Sequence, residues 1–111
     1  MRLKLRKEVL KKYNSHCAYC GKLLGYKDMQ IDHIKSKHAG GTDNIDNLNP
    51  SCRRCNHYKR AMSLQHFRET MQTLNERLQK PYINRVGLDY GIITIKPFDG
   101  LFYFEKEVKN E

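Results

Sequence analysis

No stretch of this chain approaches the roughly twenty consecutive apolar residues of a membrane-spanning helix, so a transmembrane helix is excluded. The basic start, Met1-Arg2-Leu3-Lys4-Leu5-Arg6-Lys7, is followed by no apolar h-region. A secretory signal is therefore not expected, and a cytoplasmic setting is. Low-complexity tracts are missing, and so are internal repeats beyond two cysteine pairs, which at 111 residues points to one compact domain. Acidic residues are scarce: 12 Asp and Glu stand against 21 Lys and Arg, for a formal charge of +9. Apolar matter is not scarce. With 39% hydrophobic residues, seven Tyr and four Phe, the composition is too apolar for a disordered tail.

The charge is unevenly placed. Residues 1–60 hold 14 Lys and Arg but 5 Asp and Glu, whereas residues 61–111 hold seven of each sign. Solubility needs no such asymmetry, and a polyanion-binding surface on the first part of the chain does.

Hydrophobic spacing divides the chain into four segments. Residues 3–14 read as a short amphipathic helix through Leu5, Val9, Leu10 and Tyr13. Residues 15–61 carry every cysteine and four of the five histidines. Over residues 63–80, Leu64, Phe67, Met71, Leu74 and Leu78 alternate steps of three and four, with Ser63 as N-cap and Pro81 as the stop. This stripe reads as core, and its spacing also suits a dimer seam. In residues 90–108, Ile92-Ile93-Thr94-Ile95 and Leu101-Phe102-Tyr103-Phe104 flank Pro97-Phe98-Asp99-Gly100, a pattern that predicts a C-terminal β-hairpin.

Cys17-Ala18-Tyr19-Cys20 and Cys52-Arg53-Arg54-Cys55 are two C-x-x-C pairs. Each makes a tight knuckle presenting two thiolates, and two knuckles complete a tetrahedral four-cysteine zinc site. Gly21 suits the turn after the first pair. A disulfide reading needs an oxidising compartment, and a dithiol redox motif does not explain two copies. Four ligands close the coordination sphere, so this zinc is structural.

Between and after the knuckles lie Asp32-His33-Ile34, Gly40-Gly41-Thr42, Asp46-Asn47-Leu48 and Asn56-His57-Tyr58-Lys59. In this order, C-x-x-C-G, D-H-I, G-G-T, D-N-L and C-x-x-C-N-x-x-K, the segment of roughly residues 16–60 resembles the zinc-stapled HNH endonucleases. The resemblance implies an α+β fold with a small ββα-metal (His-Me finger) core at residues 15–61. An N-terminal helix precedes it, and residues 62–111 extend it with the amphipathic helix and the hairpin. It implies His33 as general base, Asp32 and Asn56 as ligands of a catalytic divalent metal, and Asn47 as the residue that pins the loop and orients the base. Lys59 resembles the basic residue that approaches substrate phosphate. Asn56 stands where the family name has its last His, and His57 beside it leaves open which of the two touches metal. It also implies a bacterial or phage-encoded enzyme acting on DNA.

The chemistry asks for these residue types. Phosphodiester hydrolysis needs a base near neutral pH, for which imidazole is suited, and a cation for the charged transition state. A carboxylate and an amide oxygen suit Mg²⁺ or Mn²⁺. One geometric condition attaches: in a regular strand Asp32 and His33 point to opposite faces, and their divergence into different environments counts against a shared site.

Lys35, Lys37, Arg53, Arg54, Lys59 and Arg60, with Lys11 and Lys12, are the candidate phosphate contacts; they orient DNA without reading its sequence. The competing functions are a non-catalytic zinc-knuckle module that binds nucleic acid, and a protein-interaction adaptor working through the 64–78 helix and the hairpin. A homodimer or larger partner would dock through residues 62–111.

Overall fold

The computed structural model describes the backbone of residues 2–109 and the side chains of residues 2–106. It divides into two compact units: the chain through Leu64 together with the segment from Phe102, and Gln65–Leu101. Among the described residues no helix is long and apolar enough to cross a membrane.

The first unit begins with α1 (Leu3–Lys11), which buries Val9. The expected helix ends three residues early because Asn14 and Ser15 take positive φ angles of 53° and 65°. They turn the chain into the first cysteine knuckle. Gly21 closes that knuckle at φ +81°, and a Cβ there would lie 2.7 Å from the Tyr103 ring, so both backbone and space require glycine. Strands β1 (Gln30–His33) and β2 (Leu48–Ser51) pair antiparallel, with Asp32 opposite Asn49 and His33 opposite Leu48. Helix α2 (Arg53–Lys59) follows at once and completes a ββα unit.

β2 is buried throughout. Its Pro50 lies opposite Ile31, and its carbonyl accepts from the Ala18 N–H of the first knuckle at 2.8 Å. One strand thus joins the hairpin to the cysteines. The second knuckle starts α2: Cys52 is its N-cap, and the Cys52 sulfur accepts from the Cys55 N–H at 3.4 Å. Arg60, at φ 52°, ends the helix. The apolar core of this unit includes Val9, Tyr19, Leu24, Met29, Leu48 and Phe102.

The second unit holds α3 (Leu64–Gln72) from its second residue onward, α4 (Leu74–Gln79) and α5 (Tyr82–Asp89). The single helix expected over residues 63–80 is interrupted at Thr73. Its hydroxyl donates to the Thr70 carbonyl at 2.7 Å and accepts from Arg77 at 2.9 Å, which gives the backbone a local alternative to the helical ladder.

The expected β-hairpin does not form. Residues 92–102 contain no strand, and residues from Tyr103 enter α6 (Tyr103–Lys109), which belongs to the first unit. The reason is tertiary. The Tyr103 and Phe104 N–H groups bond to the Tyr19 and Ala18 carbonyls at 3.1 and 2.8 Å, while Phe102 and Phe104 stand edge-on to the Tyr19 ring. The segment read as the second strand takes its backbone partner from the knuckle. The would-be first strand folds back onto α5, where the Ile92 N–H reaches the Gly87 carbonyl at 2.9 Å.

Candidate active site

The four cysteine sulfurs all lie within 4.8 Å of one another and are positioned to hold a metal ion. The Cys20 and Cys52 sulfurs are 3.8 Å apart, far too long for a disulfide. That spacing is the edge of a tetrahedron with metal–sulfur bonds of about 2.3 Å. The Cys52 N–H donates to the Cys17 sulfur at 3.3 Å. Hydrogen bonds from the Cys20 and Cys55 thiols hold Cys17 far below the ordinary thiol range, and the hydrogen bonds to Cys17 and then Cys20 push Cys55 far above it. Four sulfurs this close do not all carry charge without a cation among them.

Asp32 and His33 leave β1 in different directions. Asp32 is buried, and its carboxylate accepts from the Tyr19 hydroxyl and, at 3.1 Å, from the Lys59 ammonium, which is also fully buried. Lys59 donates further to the His33 carbonyl at 3.3 Å. Tyr19 in turn accepts from Asn49 at 3.3 Å, and the Asn49 oxygen lies 3.4 Å from the Lys12 ammonium. A continuous polar chain, Lys12–Asn49–Tyr19–Asp32–Lys59, thus ties α1, β2, the first knuckle, β1 and α2 together. Burial pushes the Asp32 carboxyl up, against the lowering effect of Tyr19 and Lys59. Burial and then the neighbouring Asp32 charge push Tyr19 well above its usual value, so it remains an O–H donor.

These positions correct three sequence-based assignments. Lys59 does not reach a phosphate, because its ammonium is sealed against Asp32. Lys12 does not face a ligand; it turns inward to the Ile45 and Leu48 carbonyls at 2.9 and 2.7 Å, and desolvation lowers its pKa. Asp32 presents no open carboxylate oxygen. A divalent ion there would meet an ammonium on the same group, and Asn56 by itself is one neutral donor. As arranged, these residues do not fit a catalytic Mg²⁺ or Mn²⁺. His57 is exposed and lines a separate cleft of about 450 Å³ with Lys22, Arg53 and Arg54.

His33 faces the loop that joins the strands. Its Nε2 lies 2.7 Å from the Asp43 carboxylate, whose other oxygen is 3.0 Å from the Lys37 ammonium. The His33 hydrogen bond and then Lys37 hold the Asp43 carboxyl below the usual carboxylate range. Asn47 fixes this loop from inside. Its side chain accepts from the Lys35 N–H at 2.9 Å and donates to the Lys35 and Thr42 carbonyls at 3.0 and 2.8 Å. Gly41 is packed so tightly that a Cβ would lie 1.7 Å from the Lys35 carbonyl oxygen. Asn56 is half-buried on α2, and among the described residues its side chain makes no hydrogen bond. Lys35, Lys37, Arg53, Arg54 and Arg60 are exposed.

Sequence reading missed Tyr19, Asn49 and Asp43. Tyr19 sits between the knuckle cysteines, a position that gives no sign of its burial against Asp32. Asp43 follows the Gly-Gly turn by two residues, and that turn is the signal that it returns toward the strand end.

Residues 17–61 match the family model described as HNH endonuclease. Over 55 residues the chain is 34% identical to the CRISPR-associated endonuclease Cas9 of Corynebacterium diphtheriae, an alignment covering 49% of this chain and 5% of that protein. The structure resembles the Type II-C Cas9 enzyme from Actinomyces naeslundii with a TM-score of 0.55 and 25% identity, over 70% of this chain and 10% of that one. The chain therefore spans a tenth or less of the length of these relatives. The family resemblance read from the order of the motifs is borne out for the segment that carries them.

Proposed function

We propose that the HNH segment of this chain hydrolyses DNA phosphodiester bonds, with His33 as the general base. The carrying observation is the built environment of His33. It stands at the end of β1 beside a loop clamped by three Asn47 hydrogen bonds, with one ring nitrogen held by Asp43 and the other without a hydrogen-bond partner among the described residues. A surface that only bound nucleic acid would not require a histidine fixed in this way. In the step, a water oxygen bonds to phosphorus as its proton passes to His33. The bond from phosphorus to the 3′ oxygen breaks with its electron pair on that oxygen, which takes a proton from solvent. The products carry 5′-phosphate and 3′-hydroxyl ends. Asp32, engaged by Lys59 and Tyr19, offers no oxygen to Mg²⁺ or Mn²⁺ in this step.

The ion held by Cys17, Cys20, Cys52 and Cys55 is zinc in this reading, and it is structural, since four thiolates leave no position for substrate. DNA lies along Lys35, Lys37, Arg53, Arg54 and Arg60. With five phosphate contacts, log K should fall against log salt with a slope of about −4 to −5.

The test is cleavage of supercoiled plasmid in Mg²⁺ or Mn²⁺ by the native chain and by His33→Ala. His33→Ala should lose at least about a hundredfold in turnover while its DNA affinity is little changed, because a general base acts in the transition state. If the folded native chain binds DNA yet cuts none across metals and substrates, the non-catalytic binding module replaces this reading.

A further inference from the structure

We propose that Asp43 is the positioning residue for His33, setting both its ring orientation and its tautomer; this rests on the reading of His33 as the base. An imidazole acts as a base through one nitrogen only, and the partner of the other nitrogen determines which. Here the Nε2 partner is the Asp43 carboxylate at 2.7 Å, an acceptor without a proton, so the neutral ring carries its hydrogen on Nε2 and its lone pair on Nδ1. Water must then be activated at Nδ1. When Nδ1 takes the proton, the resulting imidazolium faces the Asp43 carboxylate, which stabilises it.

The carboxylate is itself fixed. Lys37 holds its second oxygen at 3.0 Å. The backbone on either side is constrained by the Asn47 bond to the Thr42 carbonyl and by the Asn44 N–H bond to the Thr42 hydroxyl at 3.3 Å. This assigns Lys37 a second duty besides contact with DNA: it is the cation that holds the carboxylate in line. Asp43 is 48% exposed, so its ion pairs contribute little to stability and its conspicuous effect is on geometry.

The experiment uses the whole zinc-loaded chain, with imidazole ¹⁵N shifts of His33 read at neutral pH beside plasmid cleavage. The native chain should show the Nε2–H tautomer. Asp43→Ala should give a mixture of tautomers and a fall in kcat of about ten- to a hundredfold with KM nearly unchanged. Asp43→Asn keeps a neutral acceptor oxygen and should restore the tautomer while recovering only part of kcat. An unchanged tautomer in Asp43→Ala overturns the proposal, whether or not activity falls, since lost activity alone would indicate only a disturbed loop. Full kcat in Asp43→Ala overturns it as well. If His33→Ala still cuts, the function reading fails instead, and the ¹⁵N shifts separately decide whether Asp43 sets the ring.

Discussion

The two compact units are built on different principles. Apart from Phe67, every buried residue among those described belongs to the unit that contains the cysteines, including the polar residues Asp32, Asn49, Ser51 and Lys59. The Gln65–Leu101 unit leaves Tyr82, Ile83, Tyr90 and Ile92 largely exposed. The first unit thus buries an ion pair beside its apolar core, and an ion held by the four cysteines would supply stability against that cost. Structural zinc contributes on the order of 10–16 kcal/mol in peptide systems, as much as a whole domain's net stability. The second unit relies on helix propensity and a single buried aromatic ring. The candidate site lies in the same unit as the buried core, and that unit also carries the excess of basic charge.

The most severe way to break this comparison is to take the metal. A strong chelator with a thiol reagent, or Cys52→Ala, should abolish the thermal transition of the first unit, with loss of the dispersed amide signals of β1 and β2. An unchanged melt would remove the metal from the account and leave the buried polar chain unexplained.

Next in size is the ion pair. Lys59→Met strands a buried carboxylate and should cost about 3–5 kcal/mol in urea unfolding, while adding Asp32→Leu should recover most of that loss. The sign with pH is fixed by Asp32. Its folded carboxyl already titrates above its unfolded value, so its contribution is fully present at low pH and is lost as pH rises through the raised value. Without Lys59 the folded carboxyl rises further, so that decline should extend to higher pH, measured as unfolding free energy from pH 3 to 8.

The glycines sharpen the contrast. At Gly41 a Cβ meets the Lys35 carbonyl oxygen and the Asn47 amide, so Gly41→Ala should cost about 1–3 kcal/mol and displace the Asn47 clamp. At Gly91, in the second unit, φ is +72° with nothing within 4 Å, so Gly91→Ala carries only backbone strain, about 1 kcal/mol. Cleavage should fall in the first variant and not in the second.

Legibility in the sequence divides along the same line. The knuckles could be read because their spacing is fixed by the geometry of a four-cysteine site, and the ββα arrangement through the family resemblance. Asn47 could be read as a loop clamp through the family resemblance, and its three hydrogen bonds supply the physical reason. Lys59 and Lys12 were misread because a lysine in a basic segment looks solvated, and only the fold shows an acceptor waiting inside for each. The hairpin failed for a related reason. Ile92–Ile95 and Leu101–Phe104 have strand composition, but composition does not name a partner, and Tyr103 and Phe104 bond to the first knuckle. Asp32 and His33 followed the strand's period of two, which is why the carboxylate and the imidazole do not share a site here.

The smallest effect tests the second unit on its own terms. Ile83 and Tyr90 are 78% and 79% exposed, so Ile83→Ser and Tyr90→Ser should each change unfolding free energy by no more than about 0.5 kcal/mol. Phe67→Ala, at the one buried ring, should cost about 3–5 kcal/mol. The pair of measurements separates two ways in which a sparse core can persist. If Ile83→Ser costs more than about 1 kcal/mol, and the cost grows with protein concentration, that face is covered by a second molecule in solution. If the cost stays small at every concentration, the unit is held by Phe67 and its helices alone. The difference between the units is then a property of the single chain.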